Sequence, residues 1–334
     1  MGAFLLRRAM EAVPTLIGVA IVVFVLVRVV PGDPIAMMIS PGATPADIDN
    51  LRAAYGLDKT IVEQFLIWGK LALQGDFGTS ISLRQDVMEL VLGRLPATLE
   101  LAGTATLIAV LLGVSLAVMG SFWRRRLPEA IIDAFNGFSL AIPDFIWALI
   151  FILVFGVLVP IMPISGRMNP RIEFDFVTHF YFLESLVRGE FAILGNLFTH
   201  GLMPAMALGL PLAAIITRVL KGSLDQAMVQ DYILLARVKG FGKLRIILGE
   251  ALRNAAIPTL TLTGVQFTFL VGGTVLIEKI FSYPGIGNLA IDAVINRDLP
   301  LIQGLIVTFA ILFIVVNLSV DLMYAALNPK LRHG

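Results

Sequence analysis

The sequence predicts an all-α membrane protein with six transmembrane helices and both termini in the cytoplasm. Three observations carry this expectation. The 334 residues are 57% hydrophobic and only 15% charged, with a mean hydropathy of +0.89, whereas soluble domains carry about 25% charged residues. Six apolar segments approach the roughly 20 residues that a helix needs to cross hydrocarbon. The short connections between them concentrate Lys and Arg on one side. The basic residues are scattered among loops, with no groove of interleaved aromatics, so no nucleic-acid partner is expected. The absence of cysteine excludes disulfides and thiolate chemistry. His179, His200 and His333 are too far apart for local metal-ligand spacing.

The spans fall near 11–30, 98–120, 130–158, 200–220, 258–278 and 303–325. The first follows Arg7 and Arg8, exceeds a usual signal-peptide core and lacks a small-x-small cleavage site, which makes residues 1–30 an uncleaved anchor. The third is long enough to tilt or kink, and Pro143 near its middle supplies a cause. Four segments carry the positive charge: Arg7 and Arg8, then Arg124, Arg125 and Arg126 in the 121–129 connection. The 221–257 loop adds Lys221, Arg237, Lys239, Lys243, Arg245 and Arg253, and the C-terminus adds Lys330 and Arg332. Six crossings place all four in the cytoplasm.

On the opposite side lie 159–199 and 31–97, the latter an extracytoplasmic subdomain with eight acids against five bases. Thr44, Pro45 and Asp47 make a helix start, and Ile48, Leu51, Ala54 and Tyr55 recur at helical spacing. Lys59 to Leu73 reads as a second amphipathic helix, and GDFGTS (75–80) as a turn. These helices either pack on the outer ends of the spans or meet a partner.

No phosphate-cradling G-x-x-x-x-G-K-[ST], H-E-x-x-H or G-x-S-x-G motif is present. A membrane chain without its own ATP site or catalytic motif is a transporter or channel component, or an assembly scaffold. Polar residues in the spans are the remaining candidates. Asp144, beside Pro143, sits near the middle of the third span, where a charged acid costs roughly 2.5–3.5 kcal/mol. It either faces a water-filled path or is a locally bonded acid at a proline kink. Asn136, Ser139, Gln266, Thr268, Asn317 and Ser319 either line a polar route or bridge helices. Asp321 and Glu100 lie nearer the interfaces.

Within 221–257, Leu234, Val238, Phe241, Leu244, Leu248 and Leu252 follow one another at steps of three or four, giving an apolar stripe. Gly240 and Gly242 interrupt it, which predicts a break between two short helices, and Pro258 opens the next span. A helix on the inner leaflet, one folded under its own bundle and one docked in a partner's groove all fit these residues.

The segment ARVKGFGKLRIILGEALRNAAIPTL (236–260) resembles the cytoplasmic loop of ABC-importer permeases of the dipeptide, oligopeptide and nickel group. Further blocks agree: FVLVRVVPGDP (24–34), YGLD (55–58), GDFGTS (75–80), LPATLELA (95–102), IPDFIWALI (142–150), FSYPGIGNLAIDAVINRDLP (281–300) and NPKLR (328–332). The resemblance implies a type I ABC importer permease fold, with a permease core over 98–334. It implies a second homologous permease, two ABC ATPase subunits that bind ATP and Mg, and an extracytoplasmic substrate-binding protein. This chain itself would hold no cofactor and lie in a bacterial inner membrane. A coupling helix would pass ATPase movement into alternating access. Residue by residue, the motif's alanine is Ala236 and its glycine Gly240. Leu234 and Leu235 stand where the general pattern has Glu-Ala, and Leu252-Arg253 where it has Leu-Pro. The implied ATPase-coupling residues are Leu234, Leu235, Ala236, Arg237, Lys239, Gly240, Phe241 and Gly242. Asn136, Ser139, Asp144, Gln266, Thr268 and Asn317 are the candidate substrate pathway. Di- or oligopeptides are the expected cargo, with nickel chelates, glutathione or another small solute as alternatives. An ATP-independent channel or uniporter is the rival of another class.

Overall fold

The computed structural model describes residues 2–29, 44, 46 and 59–327, with side chains described within 10–25, 44, 46 and 59–322. The expected helix after Thr44, the YGLD block and the basic C-terminus lie outside these residues. Among the described residues, helix is the regular structure throughout, apart from one antiparallel bridge between Thr79 and Asp86. In chain order the helices are α1 (Gly2–Val29), α2 (Ile61–Leu73), α3 (Val87–Phe122), α4 (Leu127–Ala141) and α5 (Asp144–Phe151). They continue with α6 (Tyr181–Val187), α7 (Phe191–Ala227), α8 (Asp231–Val238), α9 (Lys243–Ile280), α10 (Ile286–Ile295) and α11 (Leu299–Leu327).

Four of these are long and apolar enough to cross a membrane: α3, α7, α9 and the Leu299–Leu322 part of α11. The bent pair Leu127–Ala141 and Asp144–Leu158 makes a fifth if it is one span. The expected span at 11–30 coincides with α1, whose described apolar stretch, Met10–Val25, is shorter than these.

The structure departs from expectation in three places. Residues 130–158 do not form one kinked helix: α4 and α5 meet at 102°. Pro143 has no N–H to continue the helical ladder. Ile142 before it is extended, with φ −98° and ψ 122°, the backbone that a following proline favours. Residues 221–257 are not one loop either. The helix α7 runs on to Ala227 and α9 begins at Lys243, passing through a π-helical stretch at Ile246–Ala251. Pro258 therefore lies inside a helix rather than at its start. At about 1.5 Å per residue, α7 and α9 are each near 55 Å long, well beyond a hydrocarbon core of about 30 Å. Their charged ends are helical all the same.

The chain divides into two compact units, one drawn from residues 1–95 and 289–315, the other from 96–288 and 316–334. In the first, Thr60 and Glu63 form a capping box that starts α2. Phe65 and Trp68 of α2 set their rings 5.1 and 5.8 Å from Phe24 of α1, so α2 packs on α1. Buried Asp298 accepts hydrogen bonds from the Ser80 hydroxyl (2.6 Å) and from the Ser82 amide (2.9 Å) and hydroxyl (2.7 Å). Burial by itself raises its pKa, but these donors outweigh it and hold the carboxyl below the usual range. They pin the 75–80 turn beside the start of α11.

In the second unit α7 is the central helix, and it packs against α4, α5, α6 and α9. Lipid offers helices little hydrophobic reason to associate, so close approach through small residues does the work. A Cβ on Gly113 of α3 would come within 2.7 Å of the Ile216 side chain and 2.9 Å of the Ala213 carbonyl of α7. The Thr217 hydroxyl donates to Ala213 O at 2.7 Å and to Gly113 O at 3.2 Å across the same contact. A Cβ on Gly264 of α9 would meet Val320 of α11 at 2.6 Å.

These contacts predict that Gly113→Ala lowers the thermal midpoint in detergent, at a cost of about 1–3 kcal/mol for overpacking. Gly137→Ala, where a Cβ meets nothing within 4 Å, leaves the midpoint unchanged or slightly raised. Equal melts for the two variants would contradict the close approach.

Candidate functional site

The segment between α7 and α9 forms an elbow. Gln230 is extended and Asp231 opens α8, where an acid in the first turn suits the helix dipole. The helix ends in a Schellman turn. Gly240 takes φ +80°, its amide donates to Arg237 O at 2.9 Å, and the Phe241 amide donates to Ala236 O at 3.2 Å. A Cβ on Gly240 would meet nothing within 4 Å, so the glycine is needed for its backbone angle and not for space. Gly242 has an ordinary φ of −67° and caps the start of α9.

One face of the elbow is fixed to its own bundle. Ile233 and Ala236 of α8 are buried in a cluster with Ala117, Leu220, Leu224, Ile246, Ile247 and Ala251. The small side chain at 236 is what lets α8 lie against the base of α9. The other face is bare: Leu234, Leu235 and Val238 are 61, 55 and 78% exposed, and Arg237 and Lys239 are exposed beside them. This corrects the expected stripe. Leu234, Val238, Leu244 and Leu248 all face outward, and only Phe241 and Leu252 pack against the buried cluster. The expected break at Gly240 and Gly242 is present, but the turn there points the apolar residues on its two sides in different directions, so they do not make one face. Arg245 stacks on Phe241 at 4.1 Å.

The six candidate pathway residues divide into separate groups. Asn136 and Ser139 share one buried face of α4 with Ile132, and α7 is the helix on which α4 packs. The Asn136 Oδ1 and Ser139 Oγ atoms have no hydrogen-bond partner. Asp144 is not at a helix centre. It is the first residue of α5, half-buried, with Oδ1 accepting from the Phe145 amide at 2.8 Å. Its Oδ2 lies 4.0 Å from where a Cβ of Gly273 would stand. The cost expected of a mid-helix acid therefore does not arise, because a helix N-terminus favours negative charge. Thr268 and Asn317 pair across α9 and α11 at 3.4 Å. Gln266, two residues before Thr268, points to a different side of α9.

A cavity of about 370 Å³ borders Gly264, Phe267 and Val320. The hydroxyls of Thr106, Thr261 and Thr263 in its wall donate back to carbonyls of their own helices, so the wall is apolar.

Two buried polar knots were not anticipated from the sequence. Glu278, fully buried near the end of α9, accepts from the Thr98 hydroxyl at 2.7 Å and from the Asn288 amide at 2.9 Å. The turn of the SYPGIGN block wraps around it: a Cβ on Gly285 would overlap the Glu278 carboxyl, and one on Gly287 would lie 2.7 Å from Val275 Cα. The readable signal was an acid at the end of an apolar run, followed by closely spaced glycines. The second knot joins Arg167 to Glu100. Arg167 is 6% exposed, donates to His179 O at 2.9 Å and lies 4.0 Å above the Tyr181 ring. Tyr181 in turn stacks on Phe176 at 3.7 Å. In the same loop the Val177 and Thr178 amides, the Thr178 hydroxyl and Arg188 hold the Glu184 carboxyl down at about 2. Among the described residues no group of three or more His, Asp or Glu is placed to hold a metal ion.

Comparison with known proteins fits this arrangement. Residues 109–333 match the family described as binding-protein-dependent transport system inner membrane component, and residues 1–102 match the family for the N-terminal part of such components. The dipeptide transport system permease protein DppB of Escherichia coli K12 is 36% identical over 338 residues, covering 99% of this chain and 98% of that protein. The glutathione transport system permease protein GsiC of the same strain is 32% identical over 330 residues, covering 99% of each. Among solved structures, a chain of the MetNI methionine ABC transporter in inward-facing conformations superposes with a TM-score of 0.55 at 15% identity, over 72% of this chain and 97% of that one. A chain of an amino acid ABC transporter crystallised with histidines gives 0.50 at 14% identity, over 71% and 94%. These two likenesses concern the fold, which is that of a type I ABC importer permease.

The clasp around Glu278 yields a prediction. Gly285→Ala lowers the yield of monodisperse protein in detergent at least as far as Glu278→Ala does, and the double variant recovers part of that loss by removing the overlap. Full additivity of the two losses would show that the close approach is not what constrains Gly285.

Proposed function

The chain belongs to the binding-protein-dependent transport system inner membrane component family, and on that premise we propose that it is one permease of an ATP-driven importer of di- or oligopeptides. In this reading it forms half of a pathway that opens alternately to each side. A second homologous permease forms the other half, two ABC ATPase subunits bind ATP and Mg, and an extracytoplasmic binding protein delivers the cargo. Both termini and the elbow at 228–242 face the cytoplasm, as the basic connections require. The sequence likeness to DppB supports peptides as cargo. Glutathione, itself a peptide, fits the likeness to GsiC.

The single observation that carries the coupling role is the two-faced α8. Its inner face is anchored by Ile233 and Ala236, while Leu234, Leu235 and Val238 stay bare. An exposed apolar helix face flanked by Arg237 and Lys239 suits a groove on a partner. The anchored face then carries any displacement of that partner into α7 and α9. Arg237 and Lys239 add contacts worth about 0–1 kcal/mol each, as exposed ion pairs do.

Two experiments on the reconstituted importer test this reading. Gly240→Val forces a β-branched residue into the left-handed region, at about 1–2 kcal/mol or more. Its expected result is loss of uptake with membrane insertion intact, while Gly242→Ala keeps uptake near the wild-type rate. Normal uptake by Gly240→Val would refute the coupling role. For the pathway, Asp144→Asn should reduce uptake of a dipeptide with a free amino terminus more than that of its N-acetylated form. An equal effect on both would make Asp144 only the cap of α5.

A further inference from the structure

We propose that α2 lies in the membrane interface, with its two apolar flanks among the lipids of the outer leaflet and its one polar line turned to water. The helix has 13 residues, and none of them is buried. Ile61, Val62, Leu66, Ile67, Leu71 and Leu73 are all exposed, Leu73 to 92%. Its only polar side chains are Glu63, Gln64 and Lys70. Glu63 is taken up by the cap, accepting from the Thr60 amide at 3.0 Å and hydroxyl at 2.9 Å, and the Gln64 amide turns back to donate to Lys59 O at 2.9 Å. A helix that is apolar on nearly every side belongs in an apolar environment, and a helix of this length is too short to cross one.

The order of the side chains sets how the helix lies. At about 100° per residue, Glu63 and Lys70 fall within about 20° of one another, opposite the face of Phe65 and Trp68 that packs on Phe24. Val62, Leu66 and Leu73 line the flank on one side of these charges, and Ile67 and Leu71 the flank on the other. Glu63 is in the first turn and Lys70 in the last, so the polar line runs the length of the helix. All of it reaches water only if the axis lies along a surface. A protein partner favours a single apolar patch with a polar rim, and it would not cover both flanks while leaving the charges between them wet. A lipid surface closes on both flanks at once, which is how interfacial helices sit.

The contact with α1 is at the depth that this requires. Phe24 is near the end of the apolar stretch Met10–Val25, and the next charge in the sequence, Arg28, follows one turn later. Ile21, Val22 and Val25 of α1 are exposed as well, so both helices present bare aliphatic side chains around the contact. The inference rests on residues 1–30 being the anchor expected from the sequence and on 31–97 lying outside the cytoplasm. A label at Val22→Cys checks the anchor separately.

The chain has no cysteine, so the single replacements Leu66→Cys, Leu73→Cys and Lys70→Cys each take one spin label. The labelled chain is reconstituted in liposomes with the other importer subunits. Collisions with oxygen, which dissolves in lipid, are then compared with collisions with a water-soluble nickel chelate. Labels in place of Leu66 and Leu73 should favour oxygen and the label in place of Lys70 the chelate, with a severalfold fall in the ratio between them. Equal ratios at the three positions would overturn the proposal by placing α2 in water. So would shielding of the Leu66 and Leu73 positions from both reagents, before or after the binding protein is added, because a protein surface would then cover the flanks. A Val22→Cys label closed to oxygen would remove the anchor and the proposal with it. Dipeptide uptake by the same liposomes is read independently. Its loss with the accessibility pattern kept would fault the transport reading and support the seat of α2.

Discussion

The arrangement depends on one apolar contact, the burial of Ile233 and Ala236 of α8 against Ile246, Ile247 and Ala251 at the base of α9 and Leu220 and Leu224 at the end of α7. A helix of eight residues has no stability of its own in water. Each fully buried aliphatic side chain contributes about 1.5–3 kcal/mol, so a few of them suffice to hold α8 in place. The contact lies beyond the apolar stretches of the spans, where water is the alternative environment and burial is favourable. Within lipid the same side chains would gain little by meeting each other. This difference explains why aliphatic residues fasten the elbow, whereas glycines and a shared threonine hydroxyl fasten α3 to α7.

Holding one face of α8 fixes what the other face can do. The Schellman turn at Gly240 ends the helix and turns the chain into α9, leaving Leu234, Leu235 and Val238 uncovered. Both faces carry aliphatic side chains, the outer one with Asp231 and Arg237 beside them, so the segment is half apolar and yet stands at the surface. Alanine and glycine serve different ends here. Ala236 is small because it is buried against neighbouring helices, and Gly240 is glycine because its φ is positive.

Much of this was legible in the residues. Hydropathy located the long apolar helices, Pro143 marked the interruption in the third segment, and the two glycines marked the elbow. What could not be read was extent and facing. A proline tells where a helical ladder must fail, but the 102° between α4 and α5 is set by what each half packs on. Charges such as Lys221, Lys243 and Arg245 suggested a loop, because a bilayer-length rule assumes that a helix stops where hydrocarbon does. Periodicity in 234–252 found an apolar stripe without telling which side the bundle would cover. Glu278 passed unnoticed because a single acid at the end of a span looks like an interfacial residue. Only its enclosure by Thr98, Gly285 and Asn288 shows otherwise.

The unbroken course of α9 has a mechanical consequence. Its first turns lie against α8, and its last turns end in the glycine clasp around Glu278. A rod of 38 residues is about 57 Å long at 1.5 Å per residue. In the proposed coupling it is a lever, and a tilt of about 5° about one end sweeps the other by about 5 Å, close to the rise of one helical turn. With the clasp at the far end as the pivot, the elbow at the full radius travels most, and the clasp itself only turns.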